Sequence, residues 1–576
     1  MSTPDSQTVA PLKRLLAALA TWALLFVAGP GIVTREGLWF IAAIALVPWA
    51  LVCSRPGKYA LRIEWLAAAI GISTICFWST YVIWITLIAV ALVPAVYMAF
   101  AGTLLRRLAS TWPLVIAVPC AWISLETLRL VVEPPFGFGW LRLGHHAHSD
   151  LWLAGGARVW GTAGVGFALA AISGGIADLW RARPRGIAFG QMKAVIALAL
   201  APFLLCATFA ATTSAPATVD GPRFLLVQPA FEQERKMSMR SSPELLAELV
   251  DLTRRGVAEA VRAGEPLDCV AWGEVSFPYP LAAPDLLAAF DRGARAVPWG
   301  VRDLTRAEVI DMRDAEREGI AGMLFGRDGK GAVLPPGAAL VSGVEHWSLV
   351  DGALRRANAV LAWNTLGERT GLGGKVHLVP GAEHLCGLER LGWVRDAAQA
   401  LAGYVPDFID FDTAEVLHLE GREGRTWKMG TSVCFDNAFE GPYVDPLRAG
   451  DLDFHFIASN EAWYLESWEY DQMMAFSHML AIETGRSIVR ATNAGISCVI
   501  GPDGRDVSRL EILGKDRMVA GCLRAVVPVP ATDARGGERK PRPIYVATQR
   551  AWTAVWIGLG ILLAILARVR PVTTRT

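Results

Sequence analysis

The first 212 residues are a series of long apolar runs broken by short basic or Gly/Pro-rich pieces. Seven runs stand out, near 13–32, 37–53, 63–80, 82–105, 112–132, 157–180 and 188–211. An eighth, "AWTAVWIGLGILLAILA", lies at 551–567. Each approaches the roughly 20 apolar residues that a helix needs to cross a bilayer core. The pattern predicts eight membrane-spanning helices, with a weak boundary between the third and fourth. The first run is not read as a cleaved signal, because further spans follow at once and no small-residue cleavage site stands out.

From about 213 to 548 the period changes. Short β-like runs alternate with helical ones: "RFLLVQP", a helix near 243–263, "DCVAWGEV", "AALVSGVEHW", "NAVLAWN", "TWKMGTSV", "DFHFIASN", a helix near 469–486, "SIVRATN" and "SCVIGPDG". The alternation predicts a layered α/β domain. "GPDG" reads as a hairpin turn, and "TTSAPATVDGPR" as the linker into the block. The chain is therefore expected to be multi-domain: a polytopic α-helical membrane domain over 1–212, an α/β domain over 213–548, and a C-terminal transmembrane helix with its tail over 549–576.

Composition sharpens the picture. The 576 residues are 53% hydrophobic with a mean hydropathy of +0.36, which excludes an ordinary soluble enzyme. The net charge of +1 supplies no basic field for nucleic acid. The nine cysteines form no CxxC pair, so neither a zinc site nor a disulfide framework is suggested. Four of them, at 53, 76, 120 and 206, fall in apolar runs as core filler. Basic residues set the orientation. Lys13 and Arg14, then Arg55, Lys58 and Arg62, then Arg106 and Arg107, then "RARPR" at 181–185, and finally Arg568 and Arg570 all fall on one side of an eight-span chain. That side is expected to be cytoplasmic, and the large block extracytoplasmic.

Three strand ends in the block carry reactive side chains. "VAWGEVSFPYP" delivers Glu274, "GGKVHLVPGAEH" delivers Lys375 with Glu383 eight residues later, and "GTSVCFDN" delivers Cys434. A strand holds its terminal side chain more rigidly than a free loop does. The three types divide the work of acyl transfer: a thiol attacks, a carboxylate moves its proton, and an ammonium stabilises the oxyanion. Each alone also has a bland reading, as a rim charge, a loop lysine and a core cysteine, and spacing alone does not bring them together.

Other positions are weighed in the same way. His145, His146 and His148 read as an interfacial loop rather than a metal site, since no partner ligand is evident. His377 would share the face of Lys375 if that segment is extended. Glu126 and Arg129, at i and i+3 near the outer end of the fifth span, read either as an ion pair or as a lipid-headgroup contact. "FPYPL" at 277–281 is either a membrane-dipping lip or a packed turn. Asn460 and Glu461 either line the site or form a structural turn.

"WGEVSFPYP", "KVHLVPGAE", "TSVCFD", "ASNEAWY" and "GRSIVRATNAGISCVIGPDG" together resemble the nitrilase superfamily. That family places a Glu, a Lys and a Cys, in this chain order, on an αββα sandwich. With apolar spans before and after such a domain, the chain is similar in architecture to the membrane-embedded apolipoprotein N-acyltransferase family. "FGFGWLRLGHHAHSDLWLAGGARVWGTAGVGFALA" at 136–170 resembles the stretch that family carries ahead of its nitrilase-like domain. The chain departs from the pattern in places. Phe435 and Asp436 replace a usual Tyr-Glu after the cysteine. Gly381 and Ala382 replace a Phe-Gly before Glu383, and Gly373 stands where a Tyr is common. The stretch from Glu274 to Lys375 also carries a charged helical insert near 302–318.

The resemblance implies catalytic Glu274, Lys375 and Cys434, with Glu383, Asp436, Asn460 and Glu461 as supporting or substrate-binding residues. It implies no metal or organic cofactor. The activity implied is acyl transfer from a phospholipid donor to the diacylglyceryl-modified N-terminal cysteine of an apolipoprotein, by a multi-pass inner-membrane protein with its catalytic domain in the periplasm. The alternatives are a membrane-tethered nitrilase-like amidase, which the seven-span platform argues against, and a non-catalytic lipoprotein-binding scaffold, which the complete triad argues against.

Overall fold

The apolar runs fold as helices in the computed structural model, which describes residues 8–82, 84, 86–133, 136–140, 142–238, 241–297, 304–403, 405–531 and 541–569. They are Pro11–Ala28, Trp39–Ala45 with Val47–Cys53, Ala60–Ile75, Thr86–Ala109, Leu114–Val131, Ala157–Ala182, Phe189–Thr212 and Ile544–Val569. Among the described residues, six helices are long and apolar enough to cross a membrane. The second and third runs give shorter pieces. The second breaks at Leu46 because Pro48 supplies no N–H and its ring clashes with the carbonyl four residues back. Ser173 Oγ mends the break, donating to Ala43 O at 2.7 Å and accepting from Leu46 N at 3.2 Å. Arg570, counted above among the orienting charges, lies outside the described residues.

The chain divides into two units. One comprises Met1–Ala215, Ser467–Thr484 and Arg542–Thr576; the other comprises Pro216–Glu466 and Gly485–Pro541. In the first, two of the basic residues used for orientation are tied down. Arg14 pairs with Glu64, and Arg106 Nη1 lies 2.6 Å from Glu64 Oε1. The helix Glu469–Thr484, expected within the α/β block, belongs to this unit. Its Glu483 Oε1 accepts from Thr162 N at 2.6 Å and Thr162 Oγ1 at 2.7 Å, and its Gln472 accepts from Trp140 Nε1 at 2.7 Å. "HHAH" forms a 3₁₀ turn over Leu143–Ala147, and no metal-binding cluster occurs among the described residues. Glu126 Oε2 accepts from Trp122 Nε1 and Leu143 N, while Arg129 donates to Trp140 O.

The second unit is an αββα sandwich. Its strands are β1 (Thr218–Gln228), β2 (Cys269–Trp272), β3 (Leu281–Ala282), β4 (Ala339–Val350), β5 (Ala353–Trp363), β6 (Arg369–Gly374), β7 (Phe408–Ile409), β8 (Val416–Glu420), β9 (Thr426–Val433), β10 (Phe454–Ser459), β11 (Ser487–Thr492), β12 (Cys498–Ile500), β13 (Asp506–Arg509) and β14 (Gly521–Pro530). One sheet runs β14-β1-β2-β4-β5-β6, with β3 on β4 and β7 on β5; the other runs β13-β12-β11-β10-β9-β8. Each holds three adjacent parallel strands, β1-β2-β4 and β9-β10-β11. Their fully buried, largely apolar stretches, such as "CVAW" and "FHFIAS", are what a strand covered on both faces requires.

The inner faces meet through Phe224, Leu226, Ala271, Val341 and Val360 on one side and Met429, Val433, Phe456 and Val489 on the other. The helix Ser242–Arg262 covers the outer face of the first sheet through Leu245, Leu249 and Val257. The helix Gly441–Ala449 lies against β9, where Tyr443 accepts from Ser432 Oγ at 3.0 Å. "GPDG" turns β12 back onto antiparallel β13.

"FPYPL" is a packed turn. Phe277 and Leu281 are fully buried in the core under the Ser242–Arg262 helix, so the membrane-dipping reading of those side chains is set aside. The charged insert forms a helix over Arg306–Ala315 with a capping box between Thr305 and Glu308; residues 302 and 303 lie outside the described residues.

Candidate functional site

The three singled-out residues all sit just past strand ends on the second unit. Cys434 follows β9 directly, Lys375 follows β6 directly, and Glu274 stands two residues after β2. Gly273 makes that placement possible. A Cβ there would lie 2.6 Å from the Thr492 carbonyl carbon, so the end of β2 can approach β11 only without a side chain. Gly373 likewise faces Thr431, whose Oγ1 would lie 2.1 Å from a Cβ. The space a larger residue would need here is already filled by β9.

Lys375 is 1% exposed, and its Nζ lies 2.9 Å from Glu383 Oε2 and 3.9 Å from Glu274 Oε1. Its backbone is fixed as well, Lys375 N donating to Asn358 O and Phe411 N donating to Lys375 O, both at 2.9 Å. Glu383 Oε2 also accepts from Val379 N at 2.8 Å, which closes the loop after the lysine. Asn358, on β5, ties the two carboxylates together: Nδ2 donates to Glu274 Oε1 at 2.5 Å and to Glu383 Oε1 at 3.2 Å. Cys434 is buried, with a left-handed φ of 46°, which a non-glycine residue adopts only where the surroundings enforce it.

Burial and charge set the protonation states. Burial raises the Glu274 carboxyl, Lys375 opposes that rise, and Glu383 adds to it. Burial pulls Lys375 down, but Glu383, Cys434 and Glu274 outweigh it and hold the ammonium charged. Burial pushes the Cys434 thiol well up, Glu274 adds to the rise, and Lys375 works against it. The Cys434 thiol therefore rests protonated at neutral pH.

Asp436 is fully buried and works on the backbone. Its carboxylate accepts from Val433 N at 3.0 Å, Val376 N at 3.2 Å and His377 N at 2.7 Å. It thereby clamps the turn that bears Cys434 to the segment that bears Lys375. His377 does not point with Lys375, because residues 375–377 leave the strand. Its ring stacks on Phe439 at 3.9 Å and 4°, with Nδ1 3.2 Å from Asp436 Oδ1. Asn460 donates to Gln233 Oε1 and accepts from Asn493 Nδ2, both at 2.9 Å. Glu461 pairs with Arg490 at 2.6 Å, each 1% exposed, and it adds to the negative field that raises the thiol.

Two neighbours of the site escaped sequence reasoning. Asn358 carried a faint signal, a lone amide in the otherwise apolar second half of "RRANAVLAW". Lys236 carried none, since it lies in a charged stretch that reads as a solvated helix. Its Nζ donates to Glu274 O at 2.9 Å.

The apolipoprotein N-acyltransferase N-terminal domain matches residues 14–175, and the carbon-nitrogen hydrolase domain matches residues 337–520. Among curated relatives, the apolipoprotein N-acyltransferase of Chlorobaculum tepidum is 23% identical over 79% of this chain and 81% of its own. Those of Methylococcus capsulatus and Geobacter metallireducens are each 25% identical, over 77% and 87% of this chain and 71% and 87% of theirs. Among solved structures, a variant of the Nesterenkonia AN1 amidase from the nitrilase superfamily aligns over 59% of this chain and 97% of its own, at 16% identity and a TM-score of 0.33. With its apolar helices, its hydrolase-type α/β unit and relatives aligned over most of both chains, the protein matches both domain types, resembles apolipoprotein N-acyltransferases over most of its length, and is a membrane N-acyltransferase.

Proposed function

We propose that the protein moves a fatty acyl chain from a phospholipid, through a thioester on Cys434, to the α-amino group of the lipidated N-terminal cysteine of an apolipoprotein. The observation that carries this reading is the buried Lys375 ammonium, 2.9 Å from Glu383 and 3.9 Å from Glu274. Glu274 takes the thiol proton as sulfur attacks the ester carbonyl. Lys375 stabilises the oxyanion, a contribution of about 10²–10³ in rate for one such donor. The tetrahedral adduct expels the lysophospholipid, whose oxygen takes the proton back from Glu274. The acceptor amine then attacks the thioester. Its proton passes through Glu274 to the departing sulfur, leaving an amide and the free thiol. Glu383 holds Lys375 in place, and Asp436 holds the turn on which the nucleophile stands.

In this reading residues 1–212 and 549–576 form the membrane domain and its closing helix, and 213–548, apart from the helix Glu469–Thr484, form the catalytic domain. The protein lies in the inner membrane with that domain in the periplasm, where the lipidated acceptor is presented. Supporting this are the basic residues on one side of the eight runs and the names of the relatives. The diagnostic experiment withholds the acceptor. Purified protein in donor phospholipid should gain acyl mass on Cys434, and neutral hydroxylamine or a diacylated lipopeptide should remove it. Cys434→Ser should lose most activity, and Cys386→Ser and Cys498→Ser little. Acyl mass on another cysteine would overturn the mechanism, and release of free fatty acid without lipopeptide acylation would point to a hydrolase instead.

A further inference from the structure

The chain leaves β1 at Gln228 and is fastened at once to the ends of β10 and β11. Ala230 N donates to Asn493 O at 2.7 Å, Phe231 N donates to Asn493 Oδ1 at 3.1 Å, and Asn493 Nδ2 donates to Phe231 O at 2.9 Å. Asn460 then holds Gln233. With the segment anchored at these points, the short turn Gln233–Met237 brings Lys236 to the site, where its ammonium donates to Glu274 O at 2.9 Å. The next residue, Val275, has a φ of 46°. A β-branched side chain in the left-handed region is strained, so something must hold that conformation. The Glu274 carbonyl, facing Lys236, is the backbone atom through which a hold can be applied.

We propose that Lys236 is a positioning residue of this site: its ammonium, bound to the Glu274 carbonyl, holds the strained Glu274–Val275 turn so that the carboxylate stays on Asn358 and faces the thiol. The inference deepens the mechanism proposed above and rests on it for the role of Glu274. Among the described residues, the ionisable groups that act on Lys236 are the Glu274 carboxyl and the Cys434 thiol, and both favour its charged form. Burial opposes them and leaves its pKa lowered to about 8. On its own turn, Glu234 is exposed and Arg235 pairs with Glu248 at 2.7 Å. The hold is therefore strongest below about pH 8 and weakens as Lys236 gives up its proton, because a neutral amine is a poorer donor than an ammonium, whereas an arginine keeps its charge throughout.

The test uses full-length protein in detergent and two readouts across about pH 6.5–9.5: alkylation of Cys434 by iodoacetamide, and thioester formation from phospholipid. For Lys236→Met at pH 7, alkylation and kcat for thioester formation should each fall about tenfold, the effect of one unit in effective thiol acidity, with KM unchanged. For Lys236→Arg, the ratio of variant to wild-type alkylation rate should rise above pH 8, since only the wild type loses its charge. A ratio that stays flat overturns the proposal even if the methionine variant fails to fold. So does a methionine variant with unchanged alkylation. Alkylation needs no lipid. A protein that shows the alkylation pattern but forms no thioester would overturn the acyl-transfer reading and leave the role of Lys236 standing.

Discussion

Lys375 illustrates how much a single side chain is asked to do here. Its ammonium fits between two carboxylates and an amide-linked strand, with almost no exposure to water. A guanidinium carries the same charge but spreads it over a planar fork that needs more room. Lys375→Arg is therefore expected to be nearly as damaging as Lys375→Ala, with kcat falling about 10²–10³-fold for either. Steady-state turnover with a fluorescent phospholipid and a lipopeptide checks this. Near-normal turnover in the arginine variant would mean that the lysine is a peripheral charge and that another group stabilises the oxyanion.

The elements matter as much as the residues they carry. The turn after β9 and the segment after β6 belong to opposite sheets, and Asp436 joins them through three backbone N–H groups. Removing a buried acceptor leaves those donors unsatisfied, and breaking a buried polar clamp costs on the order of 3 kcal/mol. Asp436→Ala should lower stability by about that much. Asp436→Glu should recover part of the loss, since it keeps the carboxylate and shifts it by one methylene. Denaturant unfolding monitored by intrinsic fluorescence measures both. If Asp436→Ala unfolds like the wild type, the carboxylate does not clamp the turn.

Two expectations concern the whole molecule. The first is topology. With basic residues aligned on one side of eight runs, a reporter fused after Arg185 should face the cytoplasm, and one inserted at Ser214 should face the other side. Reporters on the same side would show that the helix Phe189–Thr212 does not cross. The second is stability in acid. His455 is fully buried on β10, its pKa lowered to about 3 by burial with Arg486 adding to the effect, and His346 is lowered to about 4 by burial and Arg369. Unfolded histidine titrates near 6.5, so between these values the unfolded chain binds more protons than the native one. Stability should be fully present above about pH 6.5 and decline as pH falls toward 3. His455→Gln should flatten the upper part of that decline in pH-dependent denaturation curves; an unchanged slope would mean that His455 is already charged in the native state.

The apolar runs, the α/β alternation and the three strand-end residues were legible in the chain because each depends on neighbours a few positions away. A helix needs only its own 3.6-residue period and its breakers, and "WKMGTSVC" announces a buried strand ending on a thiol by itself. β6 and β14 were harder to see, since "RTGLGG" and "GCLRAVVPVP" are strands by pairing with β5 and β1 rather than by local preference. What joins the site was decided only by the tertiary structure. Asn358 reaches Glu274 across 84 residues of sequence, Lys236 reaches it across 38, and Asp436 reaches back 60 residues to Val376. The helix Glu469–Thr484 looks like part of the α/β block until Gln472 and Glu483 are seen among the apolar helices. "FPYPL" had two readings until the helix Ser242–Arg262 covered it. In each case the deciding partner is set by sheet register and packing, and these bring together residues whose separation along the chain leaves no local trace.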